Sequence, residues 1–166
     1  SGPVNRAIQG RDNPNNVTPM DSPNPTETIL KRNIRWILVR PNAGESPEIT
    51  ARFHNGLQEM AEASRLGIPL VFSSDPRHEA RSGAAPAAPT ISQWPGQLGL
   101  AAIGDPEATR EFGRIAAQEL RAIGIQCTLS PMADIASEPR WNRVPGTFGE
   151  DPALVARLTR AYIEGF

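Results

Sequence analysis

Two arginines and a tryptophan stand together in Glu138-Pro139-Arg140-Trp141-Asn142-Arg143, and Glu150-Asp151-Pro152 follows closely. A guanidinium presents a rigid fork of donors that suits carboxylates or vicinal hydroxyls. Both arginines could equally pair with Glu138, Glu150 or Asp151 and so hold the loop. Glu150 and Asp151 need no chemical role, because Asp151 before Pro152 reads as a helix N-cap and acids favour that end of the helix dipole. A second group is Ser73-Ser74-Asp75-Pro76-Arg77-His78-Glu79. A carboxylate at Asp75 can accept two hydroxyl donors in strong charge-assisted bonds. A turn aspartate before proline, or a cap, is the plainer account. His78 could line the same cleft or support Asp75. The spacing is not His-Glu-x-x-His, so a zinc-protease reading fails. In Ile91-Ser92-Gln93-Trp94-Pro95-Gly96 an indole stands beside an amide, a pairing that suits the apolar face and hydroxyls of a sugar ring. Trp94 could instead anchor its loop by packing. His54, alone on a helical stretch, reads as a surface or internally satisfied residue.

The elements that must position these groups alternate strictly. Ile34 to Val39 is a compact apolar run and reads as a strand, with Trp36 in the core. Ser46-Pro47 opens a helix as N-cap and first turn, Ile49, Phe53, Leu57, Met60 and Ala61 recur at helical spacing, and Gly67 closes it. Ile68 to Phe72 is a second strand, leading into the Asp75 segment and then a long Ala/Pro/Gly loop to about Gly104. Asp105-Pro106 starts a second helix with Ala108, Phe112, Ile115, Ala116, Leu120 and Ile123 on one face, and Gly124 stops it. Ile125 to Leu129 is a third strand, followed by the arginine loop. Asp151-Pro152 starts a third helix with Leu154, Val155, Leu158 and Tyr162 along one side.

This βαβαβα order predicts an α/β fold with a parallel sheet covered by helices. The αβ turns are minimal and the βα loops long and polar, as in folds whose working face lies at the strand C-terminal ends. A (β/α)8 barrel needs about 250 residues, more than three units supply. The chain reaches Phe166 where a third helix would hand over to a fourth strand. The expected architecture is therefore a βαβαβα portion of such a barrel, incomplete at both ends; a small open three-layer sheet is the alternative. Residues 1–28, rich in Pro, Asn, Ser and Thr, read as an irregular segment, and 29–166 as the partial barrel domain.

Composition narrows the partners. The net charge of −1 over 166 residues gives no electrostatic case for nucleic acid or an anionic membrane. No apolar stretch approaches the roughly 20 residues of a membrane span. The single cysteine, Cys127, excludes an internal disulfide framework and any multi-cysteine metal site, and reads as a buried small hydrophobe.

The arginine loop and the helix start after it resemble a signature of glycoside hydrolase family 3, whose commoner form reads Asp-Pro-Arg-Trp-Gly-Arg and then Glu-x-[Tyr/Phe]-x-Glu-Asp-Pro. The Ser-Asp-Pro-Arg-His string around Asp75 resembles a β-glucosidase subgroup of that family. Two motifs in order, on matching elements, carry the likeness across about residues 65–166. Two departures stand out: Asn142 replaces the usual glycine, and Gly146 replaces an acid. The resemblance implies that Asp75 and Arg143 contact the sugar of the innermost subsite, that Arg140 and Trp141 are mainly architectural, and that His78 and Trp94 are further candidates. It also implies a retaining hydrolase acting on terminal β-D-glucosyl residues, with a β-glucoside or related oligosaccharide as partner and no metal or organic cofactor. The nucleophile aspartate, a Lys-His pair and the acid/base would lie beyond Phe166, in the remainder of the barrel and a following domain, so no catalytic residue is expected in this chain. A periplasmic or secreted setting is favoured. Two rivals remain: a non-catalytic carbohydrate-binding or scaffolding chain, and an open phosphate-binding domain, for which the required Gly-rich turn is missing.

Overall fold

The computed structural model describes residues 25–39, 46–74, 78 and 91–166. The expectations for Asp75, for the turn at 41–44, for residues 1–24 and for the first part of the Ala/Pro/Gly loop lie outside the described residues. Three strands, β1 (Trp36–Leu38), β2 (Val71–Ser74) and β3 (Cys127–Thr128), form a parallel sheet in the order β1-β2-β3. Ile37 stands beside Phe72, and Ser73 beside Cys127. The helices are α1 (Pro47–Glu62), α2 (Gln97–Ile103), α3 (Pro106–Ala122) and α4 (Pro152–Gly165). A π-helical turn, Glu27–Lys31, precedes β1, and a 3-10 turn, Val144–Gly146, precedes α4. Helices α1, α3 and α4 start alike: Ser46, Asp105 and Asp151 each accept a backbone N–H from the first turn, and a proline follows each cap. That is the N-cap and N1 chemistry the sequence carries.

Period-two alternation sends Ile37, Leu70 and Phe72 to the helical side of the sheet, where they pack with Leu57 and Ala61 of α1 and Leu120 and Ile123 around the end of α3. A second cluster joins α2, α3 and α4 through Leu100, Phe112, Phe148, Val155, Leu158 and Tyr162. Phe166, which caps α4, packs against both clusters, and its ring stacks on Tyr162 with centroids 5.9 Å apart. There α3 and α4 approach so closely that a Cβ on Gly113 would fall 2.5 Å from the Tyr162 carbonyl oxygen. The two αβ turns close on Gly67 and Gly124, both with positive φ, as their sequence implies.

The α/β class and the parallel sheet are as expected; several details are not. The paired strands are shorter than the apolar runs, although Val71 N–H to the Arg35 carbonyl (2.8 Å) and Val39 N–H to the Ser73 carbonyl (2.8 Å) extend the ladder beyond β1. Helix α2 occupies part of what reads as loop; the small residues of 97–103 hide its one buried apolar anchor, Leu100, from a periodicity test. Trp36 is 59% exposed rather than core, because its neighbour Ile37 takes the helical side and alternation turns the indole to the opposite face. Ile49 is exposed because the buried stripe of α1 runs through Thr50, His54, Leu57 and Ala61, and Ile49 lies to one side of it. Cys127 is only half-buried. Among the described residues, no helix is long and apolar enough to cross a membrane.

Candidate functional site

The polar candidates gather at the C-terminal ends of β2 and β3. Strand β2 ends in two serines, both buried and both satisfied. Ser73 Oγ accepts from the Trp36 indole at 2.8 Å, and Ser74 Oγ donates to the Val39 carbonyl at 2.7 Å. Small hydroxyl residues let the strand end stay buried while its polar atoms pair, which an apolar strand end could not offer. The Leu129 N–H, donating to the Ser74 carbonyl at 3.0 Å, carries the pairing past β3 and sets the ends of the two strands side by side.

His78 is described on the β2 side. Its ring is buried, its φ is +53, and Nε2 lies 3.1 Å from Glu119 Oε2 on α3. The contact becomes an ion pair when the imidazole is protonated. The ring edge meets Phe112 with centroids 6.1 Å apart. The Trp94 N–H donates to the His78 carbonyl at 2.6 Å, and its indole donates to Ser92 Oγ at 2.9 Å while tilting against Phe112. His78 and Trp94 are thus brought together, both facing α3.

On the β3 side, Gln97 at the start of α2 is buried. Its amide receives the Met132 N–H (3.2 Å) and donates to the Met132 carbonyl (3.4 Å). Met132 in turn bridges to Thr147, and its sulfur accepts from Arg143 Nη2 at 3.3 Å. The Gly146 N–H closes the turn on the Arg143 carbonyl, Thr147 Oγ1 donates to the Val144 carbonyl, and Phe148 is fully buried in the second core cluster. A rigid turn therefore holds the Arg143 backbone while its side chain stays exposed.

The two arginines divide. Arg140 Nε and Nη2 donate to the two Glu138 oxygens at 2.8 and 2.9 Å, and the Arg140 N–H adds a third bond. Those bonds from the Arg140 side chain, then from its backbone, pull the Glu138 carboxyl down to about 2. Arg143 meets no carboxylate among the described residues. With five N–H donors and only a weak thioether acceptor, it retains donors for a planar or polyhydroxylated ligand. Asp151 caps α4 through the Leu154 N–H at 2.8 Å, and Asn142 is exposed. Two supporting residues, Glu119 and Gln97, are not legible in the sequence. Glu119 is one of several acids on an amphipathic helix, and Gln97 opens a helix that the periodicity does not show; only its place directly after the Trp94 segment hints at a role.

A parallel sheet flanked by helices, with its polar side chains gathered at the C-terminal ends of the strands, defines an α/β chain of the kind that places ligand sites there. Residues 16–166 match the family model described as the Glycosyl hydrolase family 3 N terminal domain, and the chain belongs to that family. It is 51% identical over 125 residues to the periplasmic beta-glucosidase/beta-xylosidase of Dickeya chrysanthemi, covering 74% of this chain and 19% of that protein. It is 41% identical over 148 residues to beta-glucosidase C of Emericella nidulans, covering 87% of this chain and 24% of that one. Among solved structures, the family 3 β-N-acetylglucosaminidase of Paenibacillus sp. str. FPU-7 matches with a TM-score of 0.76 at 28% identity, over 86% of this chain and 26% of that one. The beta-glucosidase of Listeria innocua matches with a TM-score of 0.59 at 36% identity, over 70% of this chain and 15% of that one. The chain thus spans about a fifth to a quarter of the length of these curated relatives.

Proposed function

We propose that this chain forms part of the glycone-binding wall of a retaining β-glucosidase. Its three strands and their helices are successive βα units of a (β/α)8 barrel, with residues 29–166 as the barrel portion. Asp75 and Arg143 hold hydroxyls of a terminal β-D-glucosyl residue, and His78 and Trp94 line or support the same wall. The carboxylate nucleophile and the acid/base, which a retaining enzyme places about 5–5.5 Å apart, come from beyond Phe166 in a longer protein. The relatives' names favour a β-glucoside or a β-xyloside as substrate and, in two of them, a periplasmic setting.

One observation carries this reading. In the loop that follows β3, one of two neighbouring arginines is bound bidentately by Glu138, while the other, Arg143, is mounted on a hydrogen-bonded turn and has no acid partner among the described residues. A purely architectural loop would have used both.

The test is kinetic, in the full-length protein on an aryl β-glucoside. Hydroxyl contacts strengthen as the sugar flattens toward the oxocarbenium-like state, so Asp75→Ala and Arg143→Ala should lower kcat as well as raise KM. A charged hydrogen bond is worth about 1.5–3 kcal/mol, so each kcat/KM should fall by roughly ten- to a hundredfold. The exposed Arg52→Ala, whose partner is Glu48 on the same helix, should leave it unchanged. Product anomers followed by NMR should show retention. Variants that fold normally and keep their kcat/KM would remove both residues from the sugar site.

A further inference from the structure

Helix α3 carries a carboxylate that reaches into the β2 side of the site. One oxygen of Glu119, Oε2, is met by His78 Nε2 (3.1 Å), by the Ser92 N–H (3.0 Å) and by Ser92 Oγ (2.9 Å). These groups come from both ends of the connection between β2 and α2: His78 just beyond the strand, and Ser92 where the chain returns. Ser92 Oγ, while donating to Glu119, accepts from the Trp94 indole, and the Trp94 N–H donates to the His78 carbonyl. The ring of contacts is closed. His78 sits in left-handed backbone, φ +53, a conformation uncommon for residues with a Cβ although histidine is among those that adopt it more often. Among the described contacts of its ring, Glu119 and the Phe112 edge both come from α3. The Glu119 side chain is 31% exposed and that of His78 only 1%, so the buried ring faces a carboxylate that stays partly hydrated.

We infer that Glu119 is a positioning residue for the proposed sugar site, acting from the outer helix through His78 and Ser92 to fix the exit of β2 and the place of Trp94. The inference rests on the glycone-wall reading. Glu119 touches no substrate; it sets the backbone from which the β2 side of the wall is built. Gln retains the shape and an acceptor oxygen for Ser92 but gives up the charge facing His78. Ala removes the acceptor that both Ser92 donors share, together with the oxygen that His78 Nε2 faces.

The test uses the full-length protein with an aryl β-glucoside, and thermal melts to confirm folding. Small misplacements of binding groups are costly in rate, so Glu119→Ala should lower kcat/KM about tenfold, with Glu119→Gln between it and wild type. In an Asp75→Ala background, Glu119→Ala should have little further effect, because the wall it serves is already lost. A merely structural role predicts instead a lower melting temperature with kcat/KM unchanged, or equal losses in both backgrounds, and either result overturns the inference. If Glu119→Ala does not fold, wild-type kinetics in a folded Glu119→Gln has the same consequence. If Asp75→Ala itself is silent, the glycone-wall reading fails. If Asp75→Ala cripples the enzyme while folded Glu119 variants do not, only the role of Glu119 fails.

Discussion

His54 and His78 are equally buried, each 3% exposed, yet they serve opposite ends of the sheet. His54 projects from α1 toward the turn that enters β3. Its Nδ1 lies 2.5 Å from the Ile123 carbonyl oxygen, and its ring stacks on Phe72 with centroids 4.5 Å apart. The neighbouring Gly124 is required twice over: its φ is +85, and a Cβ there would sit 3.1 Å from His54 Cβ. His78 follows the C-terminal end of β2, sits in left-handed backbone and faces a carboxylate. One histidine docks a helix on a short turn; the other faces a carboxylate and an aromatic edge on an outer helix. Burial does not distinguish them. Partner chemistry and the end of the strand on which each sits do.

The largest change that tests this contrast is His54→Ala. It removes an aromatic contact from Phe72 and leaves the Ile123 carbonyl short of a partner, so it should cost about 2–4 kcal/mol of stability. Denaturant unfolding would measure the loss. The folded fraction should retain its kcat/KM, because nothing at the αβ end reaches the proposed sugar wall. A His54→Ala enzyme that is stable but slow would erase the distinction between the two ends.

A smaller effect is expected at the β3 loop. Gln97→Ala unpairs the Met132 N–H and carbonyl together, both bonds being long at 3.2 and 3.4 Å. About 1–2 kcal/mol should be lost, with a rise in KM well below that of Arg143→Ala, because Met132 backs the Arg143 guanidinium without replacing its donors. An unchanged KM would separate Met132 from the function proposed for Arg143.

The order of elements is readable because each helix start repeats one local device, a capping side chain followed by proline, and because Gly67 and Gly124 mark the two αβ turns. Trp36 and α2 escape a local reading for a common reason. Which face of a strand is covered, and whether a run of small residues coils, is decided by distant packing and not by local pattern. The site divides in the same way. Arg143 and His78 announce themselves by type and by motif. Glu119 and Gln97 do not, because a glutamate on an amphipathic helix and a glutamine after a glycine look like solvent-facing residues until the fold brings Ser92 and Met132 to them. The contribution of Asp75 rests on its motif, since its position lies outside the described residues.

The smallest expected effect tests the division between Arg140 and Arg143. The Glu138 carboxyl, usually near 4.5, is held at about 2 by Arg140. Because its pKa is depressed in the folded state, whatever the pair contributes is fully present above 4.5 and lost as pH falls through about 2. Both partners are exposed, with side chains 88% and 48% accessible, so water screens most of the attraction. Glu138→Gln should therefore unfold at nearly the wild-type temperature at pH 7, and any gap between the two proteins should close only in the acid range below 4.5. Activity makes the sharper comparison. If Arg140 serves the loop and Arg143 the ligand, Glu138→Gln should leave kcat/KM near wild type at pH 6, while Arg143→Ala lowers it. A Glu138→Gln enzyme as impaired as Arg143→Ala would mean that the Glu138–Arg140 clamp holds the whole turn in place, and that the two arginines act as one unit.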